Sequence, residues 1–375
     1  MTGSRVAFDV TIARTNRMGS GTYARRLVEA LHPLMGERLS RIDCRYARPF
    51  THRKTARDRL STLAHDLWWT QVATVSAARA CDAELLHMPA MLAPVRSSLP
   101  VVVTIHDLAI IRFPEKFRPW HRTSVTLLLP RLVKSVDAIV TGSAASKTDL
   151  VELLGVDPDR VSVIPYGISE SFAPLPSEDP RLHEIRKRYA LTGDYLLTVG
   201  AIEPRKNLVR LLHAVRVLRS ANARLRELQL VHVGPMGWHA LEVPRAVSEL
   251  GLADHVRFLG YVPDDDLSVL YQLARASVYP SLFEGFGFPV LEAMASGCPV
   301  VTGNCSSLPE VAGDAAVLVD PTSVESIAEG VRRAWEDDEL RRQLRDRGLK
   351  RAAQFTWNAT ARETMRLYDR LLGAA

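Results

Sequence analysis

Short apolar runs alternate from one end of the chain to the other with longer stretches whose apolar residues recur at helical spacing. Runs such as Val101-Val-Val-Thr-Ile105 carry almost no polar position, as expected of strands whose two faces are both covered by helices. The alternation predicts α/β layers built on parallel sheets. Strands are expected at 6–10, 42–47, 84–88, 101–106, 138–142 and 161–165. A second set is expected at 195–199, 228–233, 256–259, 277–280, 300–302 and 316–319, with helices between its members. Two similar sets imply two doubly wound domains.

The stretch 168–180, Ile-Ser-Glu-Ser-Phe-Ala-Pro-Leu-Pro-Ser-Glu-Asp-Pro, interrupts this rhythm with proline and polar residues and reads as a linker. A first domain over 1–175 and a second over 176–355 follow. Helical patterns fill 323–353. A last one begins at Thr356, and the segment 356–375 is long enough to cross back onto the first domain.

At 375 residues, 47% hydrophobic and 24% charged, the chain can bury two full cores, each in a domain of roughly 100–200 residues. No apolar run approaches the ~18–20 residues of a membrane span, and the opening Met1-Thr-Gly-Ser-Arg-Val-Ala7 leads into a strand without a signal-peptide pattern. A cytoplasmic protein is expected. Cys44, Cys81, Cys298 and Cys305 form no C-x-x-C pair, which points to reduced thiols rather than a zinc site or disulfides.

The net charge of +6 by itself decides little. One stretch is denser: Arg41, Arg45, Arg48, Arg53, Lys54, Arg57 and Arg59, followed by Trp68-Trp69. It reads either as a solvated loop with the tryptophans in the core, or as a peripheral contact with anionic lipid at the inner face of the membrane. In the second case each basic residue contributes about 1 kcal/mol. No nucleic-acid recognition motif accompanies the charge.

The most informative segment is 281–297, Ser-Leu-Phe-Glu-Gly-Phe-Gly-Phe-Pro-Val-Leu-Glu-Ala-Met-Ala-Ser-Gly. Pro289 suits a first helical position and Gly297 a helix end, so the order is strand, glycine turn, helix. The amides of Gly285, Phe286 and Gly287 then lie beside a positive helix N-terminus, a setting for an anion. Glu284 and Glu292 flank the turn with acceptors that suit the vicinal hydroxyls of a sugar or ribose. Phosphate and diol together describe a nucleotide sugar. Taken alone, the two acids are equally ordinary first-turn residues, worth about 0.3–1 kcal/mol each.

Three further features depend on position. Gly19-Ser-Gly21 follows the first strand, but Thr11–Met18 intervene, so the pattern reads as a loop whose backbone approaches a substrate rather than a dinucleotide clamp. Gly200-Ala-Ile-Glu-Pro-Arg-Lys206 places two cations at a strand's carboxyl end, which reads equally as a solvated helix start or as a place where a leaving diphosphate is stabilised. His106 ends the strand 101–106 at the same kind of edge; it reads as a structural histidine or, facing a crevice, as a group that hydrogen-bonds a sugar hydroxyl or carries a proton. Asp264-Asp-Asp266 precedes a helical pattern and reads as an aspartate N-cap and first turn rather than a metal site.

The segment 283–297 together with Gly200-Ala-Ile-Glu-Pro-Arg-Lys-Asn207 resembles the family-4 glycosyltransferases of the GT-B fold, and His106-Asp-Leu108, Gly142-Ser-Ala-Ala-Ser-Lys147 and Ile164-Pro-Tyr-Gly167 fall in the order that family uses. The match runs nearly end to end. The resemblance implies two Rossmann-like domains facing across a cleft, an acceptor held by the first and a nucleotide-sugar donor by the second. Glu292, with Leu291 beside it, would bind the ribose diol. Glu284 would bind hydroxyls of the transferred sugar, and Gly285, Phe286 and Gly287 would present amides to sugar and phosphate. Arg205 and Lys206 would neutralise the diphosphate, with Gly200 beside them. His106 would contact the sugar near its reacting carbon, Gly19, Ser20 and Gly21 would approach the diphosphate, and Tyr261 and Val262 would pack beside the base.

The same resemblance implies transfer with retention of anomeric configuration and without a metal or resident cofactor. It implies a hexose donor, with GDP-mannose the first choice and UDP-, ADP- or dTDP-sugars as alternatives, and a glycan or lipid-linked acceptor. One departure is Ala201, where many relatives carry arginine; Arg205 is the candidate substitute. Two other classes compete: a nucleotide-sugar epimerase or phosphorylase on a related scaffold, and a non-catalytic sugar-nucleotide binding protein.

Overall fold

The computed structural model describes residues 4–16, 18–45, 47, 64–116, 119–221, 225–237 and 241–373. The chain divides into two compact units, Met1–Gly167 with Thr356–Ala375, and Ile168–Phe355. The division precedes the sequence-predicted break at 175/176. Phe172 packs edge-on against Tyr271, and the backbone of Leu175 exchanges hydrogen bonds of 2.8 Å with the Gln272 amide, so residues 168–175 pack with the second unit.

The first unit holds a parallel sheet of β1 (Val6–Asp9), β2 (Leu39–Ile42), β3 (Leu85–Met88), β4 (Val101–Thr104), β5 (Ala138–Thr141) and β6 (Val161–Val163), in the order β2-β1-β3-β4-β5-β6. All four residues are buried in each of β1, β3, β4 and β5, which is why these strands read as continuous apolar runs. The edge strand β2 corrects the expectation at 42–47. Its sequence Leu-Ser-Arg-Ile is buried only at its two ends, so it carried no apolar run to find.

A second correction concerns the segment after β1. The residues expected to form a loop contain a short helix, Thr11–Thr15, ahead of the helix Gly19–Met35. The terminal helix Trp357–Leu371 packs on Gly19–Met35. Two bonds hold it in the first unit, Tyr368 OH to His87 Nδ1 in β3 and Thr360 Oγ1 donating to the Pro165 carbonyl at 2.8 Å, while Thr356 caps the helix by accepting from the Ala359 amide. Gly167 permits the approach, since a Cβ there would stand 2.2 Å from the Trp357 nitrogen.

The second unit repeats the plan with β7 (Tyr195–Val199), β8 (Gln229–Val233), β9 (Val256–Gly260), β10 (Ala276–Tyr279), β11 (Val300–Gly303) and β12 (Ala316–Val319). Their order is β12-β11-β10-β7-β8-β9, all parallel. Its core is the layer between the sheet and the helices Leu208–Ala221, Glu242–Glu249 and Val324–Glu336, with Leu211, Leu230, Val278 and Val331 fully buried. The strand order reverses direction between β7 and β10. In doubly wound sheets that switch point leaves a crevice outside the carboxyl ends of the two strands.

Candidate active site

Both segments singled out in the second half emerge at that switch point. After β7 the chain turns at Gly200 (φ +139°) and forms a single 3-10 turn, Pro204–Lys206. Asn207 ends the turn in the left-handed region and donates from Nδ2 to the carbonyls of Pro280, at 3.0 Å, and Pro321, at 2.6 Å. It thereby ties the turn to the chain leaving β10. After β10 the residues 280–287 lead to the helix Phe288–Ala295, with Gly287 at its N-cap (φ +108°) and Pro289 in its first turn.

The structure brings Arg205, Lys206 and Glu284 into direct contact. Glu284 Oε1 accepts from Lys206 Nζ at 2.7 Å, from Tyr279 OH at 2.9 Å and from Ser281 Oγ at 2.5 Å, while Oε2 accepts from Arg205 at 2.7 Å. Lys206 Nζ also bonds Tyr279 OH and lies over that ring. The guanidinium of Arg205 reaches the Phe283 carbonyl at 2.7 Å and Glu203 at 3.2 Å as well. Burial alone would raise the Glu284 carboxyl, but Arg205 and Lys206 outweigh it and hold the group down at about 2. For Lys206 the balance is reversed: burial lowers its ammonium in spite of Glu284.

Glu292 stands differently. Tyr271 OH donates to its Oε2 at 3.1 Å, it is half-buried, and among the described residues no cation bonds it. Burial pushes its carboxyl up to about 7, with the Asp264 carboxylate adding to the rise and the Lys206 charge opposing it. One acid of the pair is therefore a fixed anion, and the other titrates near neutral pH.

Gly285, Phe286, Gly287 and Leu291 are buried, as is Val262, whereas Tyr261 is 66% exposed just past β9. Gly200 itself lies against Gly234, where a Cβ would stand 2.0 Å from the Gly200 carbonyl oxygen. Ala201 is buried. The helix expected to open with an aspartate N-cap instead has Pro263 at that position, and Asp266 accepts from Tyr189 OH at 2.7 Å and Arg188 at 2.8 Å.

In the first unit His106 follows β4. Its Nδ1 meets Tyr166 OH at 2.8 Å and its Nε2 meets the Pro89 carbonyl at 3.2 Å, so a neutral ring protonated on Nε2 satisfies both. Burial drives its pKa down to about 4. The ring is thus a neutral, doubly bonded group rather than a free base. Gly19 and Ser20 open the helix Gly19–Met35, with Gly19 exposed, but Gly21 is buried against its own chain. A Cβ on Gly21 would stand 1.8 Å from the Asn16 carbonyl oxygen. That close approach gives the glycine a reason within its own chain.

The basic stretch divides. Arg41 and Arg45 are exposed, while Arg48, Arg53, Lys54, Arg57 and Arg59 lie outside the described residues. Trp68 is 52% exposed, but Trp69 is buried and donates from Nε1 to Asp9 at 3.1 Å. Among the described residues no helix is long and apolar enough to cross a membrane.

Sequence reasoning passed over Tyr279, Ser281, Asn207, Ser306 and Ser307. Each lies in or near a segment already singled out. None has a side chain that is unusual for a strand end or turn.

Comparison with known proteins places the chain in a family. The profile of Glycosyltransferase Family 4 matches residues 18–172 and that of Glycosyl transferases group 1 matches residues 183–351. O-antigen chain mannosyltransferase B of Escherichia coli is 36% identical over 274 residues, 72% of this chain and 70% of that protein. The serotype-specific mannosyltransferase WbdA of Escherichia coli is 34% identical over 239 residues, 63% of this chain but only 29% of WbdA. Sucrose-phosphate synthase from Thermosynechococcus elongatus superposes with a TM-score of 0.78 over 100% of both chains at 20% identity, a likeness of fold. The chain belongs to the family-4 glycosyltransferases, which have the GT-B fold. As a member it is a glycosyltransferase, and the partners that membership implies are a nucleotide-sugar donor and a glycan acceptor.

Proposed function

We propose that this enzyme transfers a mannosyl group from GDP-mannose to a glycan or lipid-linked acceptor in polysaccharide or glycolipid assembly, with retention of configuration and without a metal. The observation that carries the reading is the contact of Arg205 and Lys206 with Glu284 at the switch point of the second sheet. Cations at that edge stabilise the charge that develops on a departing diphosphate, and the carboxylate serves the sugar hydroxyls beside it. The mannosyltransferase names of the relatives support the choice of sugar.

In this reading the second unit holds the donor and the first the acceptor. Glu292 and Leu291 meet the ribose, Tyr261 and Val262 the base, and Gly200, Gly285, Phe286 and Gly287 the phosphates and sugar. Transfer proceeds on one face: the C1–O bond to the diphosphate breaks, the acceptor oxygen bonds C1 from the same side, and the leaving phosphate oxygen takes the acceptor's proton. Positioning and fixed charge supply most of the rate. Trp68 and the basic stretch hold the first unit against anionic lipid.

A thermal-shift panel of GDP, UDP, ADP and dTDP tests the donor. A ligand at 100 times its Kd adds about 2.7 kcal/mol to the native state. GDP should raise Tm most, followed by label transfer from GDP-mannose to lipid-linked glycans. A larger shift with UDP would move the assignment to another sugar nucleotide, and no shift with any of the four would overturn the donor-site reading.

A further inference from the structure

The glycine turn does not hold its own shape. Gly285 and Gly287 remove the side chains that restrict φ and ψ, so 284–287 pays more conformational entropy to become ordered than an ordinary turn does. The segment that leaves β11 is bonded to its backbone. Ser306 Oγ accepts from the Glu284 amide at 2.9 Å, and Ser307 Oγ donates toward the carbonyls of Glu284, at 2.9 Å, and Phe286, at 2.8 Å. The Cys305 thiol lies 3.3 Å from the Ser281 carbonyl and 3.4 Å from that of Leu282.

Two details set these serines apart from ordinary loop residues. Ser307 stands at the N-cap of the short helix Leu308–Ala312, where a serine hydroxyl normally accepts from the helix's own amides. It makes no such bond, and its fully buried hydroxyl is turned to the loop instead. Ser306 has φ +51°, a conformation that glycine adopts freely and serine does not. A residue kept in an unfavourable backbone state, with its hydroxyl on the amide of Glu284, suggests a role for that hydroxyl.

The peptide plane converts these contacts into an orientation. In a trans peptide the C=O and the following N–H point in opposite directions. With the carbonyls of Glu284 and Phe286 drawn toward Ser307, the N–H groups of Gly285 and Gly287 point away from it. The four donors on the Glu284 carboxylate fix the side chain, and the two serines fix the backbone on either side of it.

We propose that Ser306 and Ser307 are positioning residues of the donor site, whose hydroxyls aim Glu284 and the Gly285 and Gly287 amides at the diphosphate and sugar of the donor. The inference rests on the reading of 284–292 as the donor turn. Neither serine need touch the donor; each acts through the turn.

The test compares the wild type with Ser306→Gly and Ser307→Ala by calorimetric titration of GDP, alongside Tm. Ser306→Gly relieves the positive φ but removes the hydroxyl from the Glu284 amide, and the two effects oppose each other, so its Tm should stay within a few degrees of the wild type. Its affinity for GDP should nonetheless fall roughly tenfold to a hundredfold, the scale on which misplaced binding groups act. A purely structural role would move Tm and affinity together, and here they should move apart. Ser307→Ala should weaken GDP comparably. If the buried change also prevents folding, Ser306→Gly alone decides. GDP affinity in Ser306→Gly within twofold of the wild type overturns the proposal. A wild type that binds none of GDP, UDP, ADP and dTDP overturns the donor-turn reading, and the positioning role falls with it.

Discussion

Lys206 Nζ and Glu284 Oε1 stand 2.7 Å apart although 78 positions separate them in the chain, because β7 and β10 are neighbours in the sheet and each residue follows the carboxyl end of its strand. The pair is nearly enclosed, with side chains 16% and 9% exposed. In such surroundings an ion pair is weak evidence for stability, since desolvating both charges offsets most of their attraction. Its position at a ligand-binding edge is the better reason for its presence.

Replacing Lys206 with methionine leaves Glu284 with Arg205 as its remaining cation. Breaking a fully buried pair costs about 3–5 kcal/mol, and with Arg205 still in place we expect about 1–3 kcal/mol. Urea unfolding at neutral pH measures it. Sugar transfer should fall by roughly a hundredfold or more, as when a preorganised charge-stabilising group is lost. Unaltered turnover would remove Lys206 from the chemistry.

The two glutamates give stability opposite pH slopes. Glu292 is raised to about 7 from an ordinary 4.5, so the folded protein holds its proton more tightly than the unfolded chain. That contribution is complete below about pH 4.5 and is lost as pH rises through 7. Glu284, lowered to about 2, contributes above pH 4.5 and loses its contribution as pH falls toward 2. Glu292→Gln should therefore flatten the decline between pH 5 and 8 and gain about 1–3 kcal/mol at pH 8. Parallel urea-midpoint curves for the variant and the wild type across that range would contradict the assignment.

Gly234→Ala should be among the costliest small substitutions in the second unit. The new Cβ would meet the Gly200 carbonyl at 2.0 Å, and φ is +146°. A loss above about 3 kcal/mol is expected. Gly193→Ala, with open space around the added methyl, should stay within about 0.5 kcal/mol and serves as the control. Thermal unfolding distinguishes them, and equal melting points would refute the close approach.

The adjacent tryptophans should separate cleanly. Trp69→Ala removes a buried ring bonded to Asp9 and should cost about 3–5 kcal/mol. Trp68→Ala should leave Tm within a degree or two yet reduce sedimentation with phosphatidylglycerol vesicles at low salt. If wild type and Trp68→Ala sediment alike, the lipid contact proposed for this face is lost.

Much of this was legible in the chain. The central strands announced themselves because both of their faces are buried, and the 281–297 segment because glycine, proline and glutamate have few other reasons to occur in that order. The edge strand β2 escaped, since half of its surface is polar, and the helix Thr11–Thr15 escaped because it is too short to show a period. Gly21 is ambiguous for a related cause. A glycine that lets a backbone pass looks the same whether the passing chain is a ligand or the protein's own Asn16.

The sequence by itself determined the alternation of strands and helices, the two-part organisation and the residue types at the glycine turn, because periodicity and turn chemistry are local properties that each segment carries within itself. Tertiary structure alone decided that Arg205 and Lys206 meet Glu284, that Glu292 bonds Tyr271 instead, and that Ser306 and Ser307 grip the turn. Those contacts depend on the order of strands in the sheet. That order is set by how the whole unit buries its apolar surface, and so it is not written in any one segment.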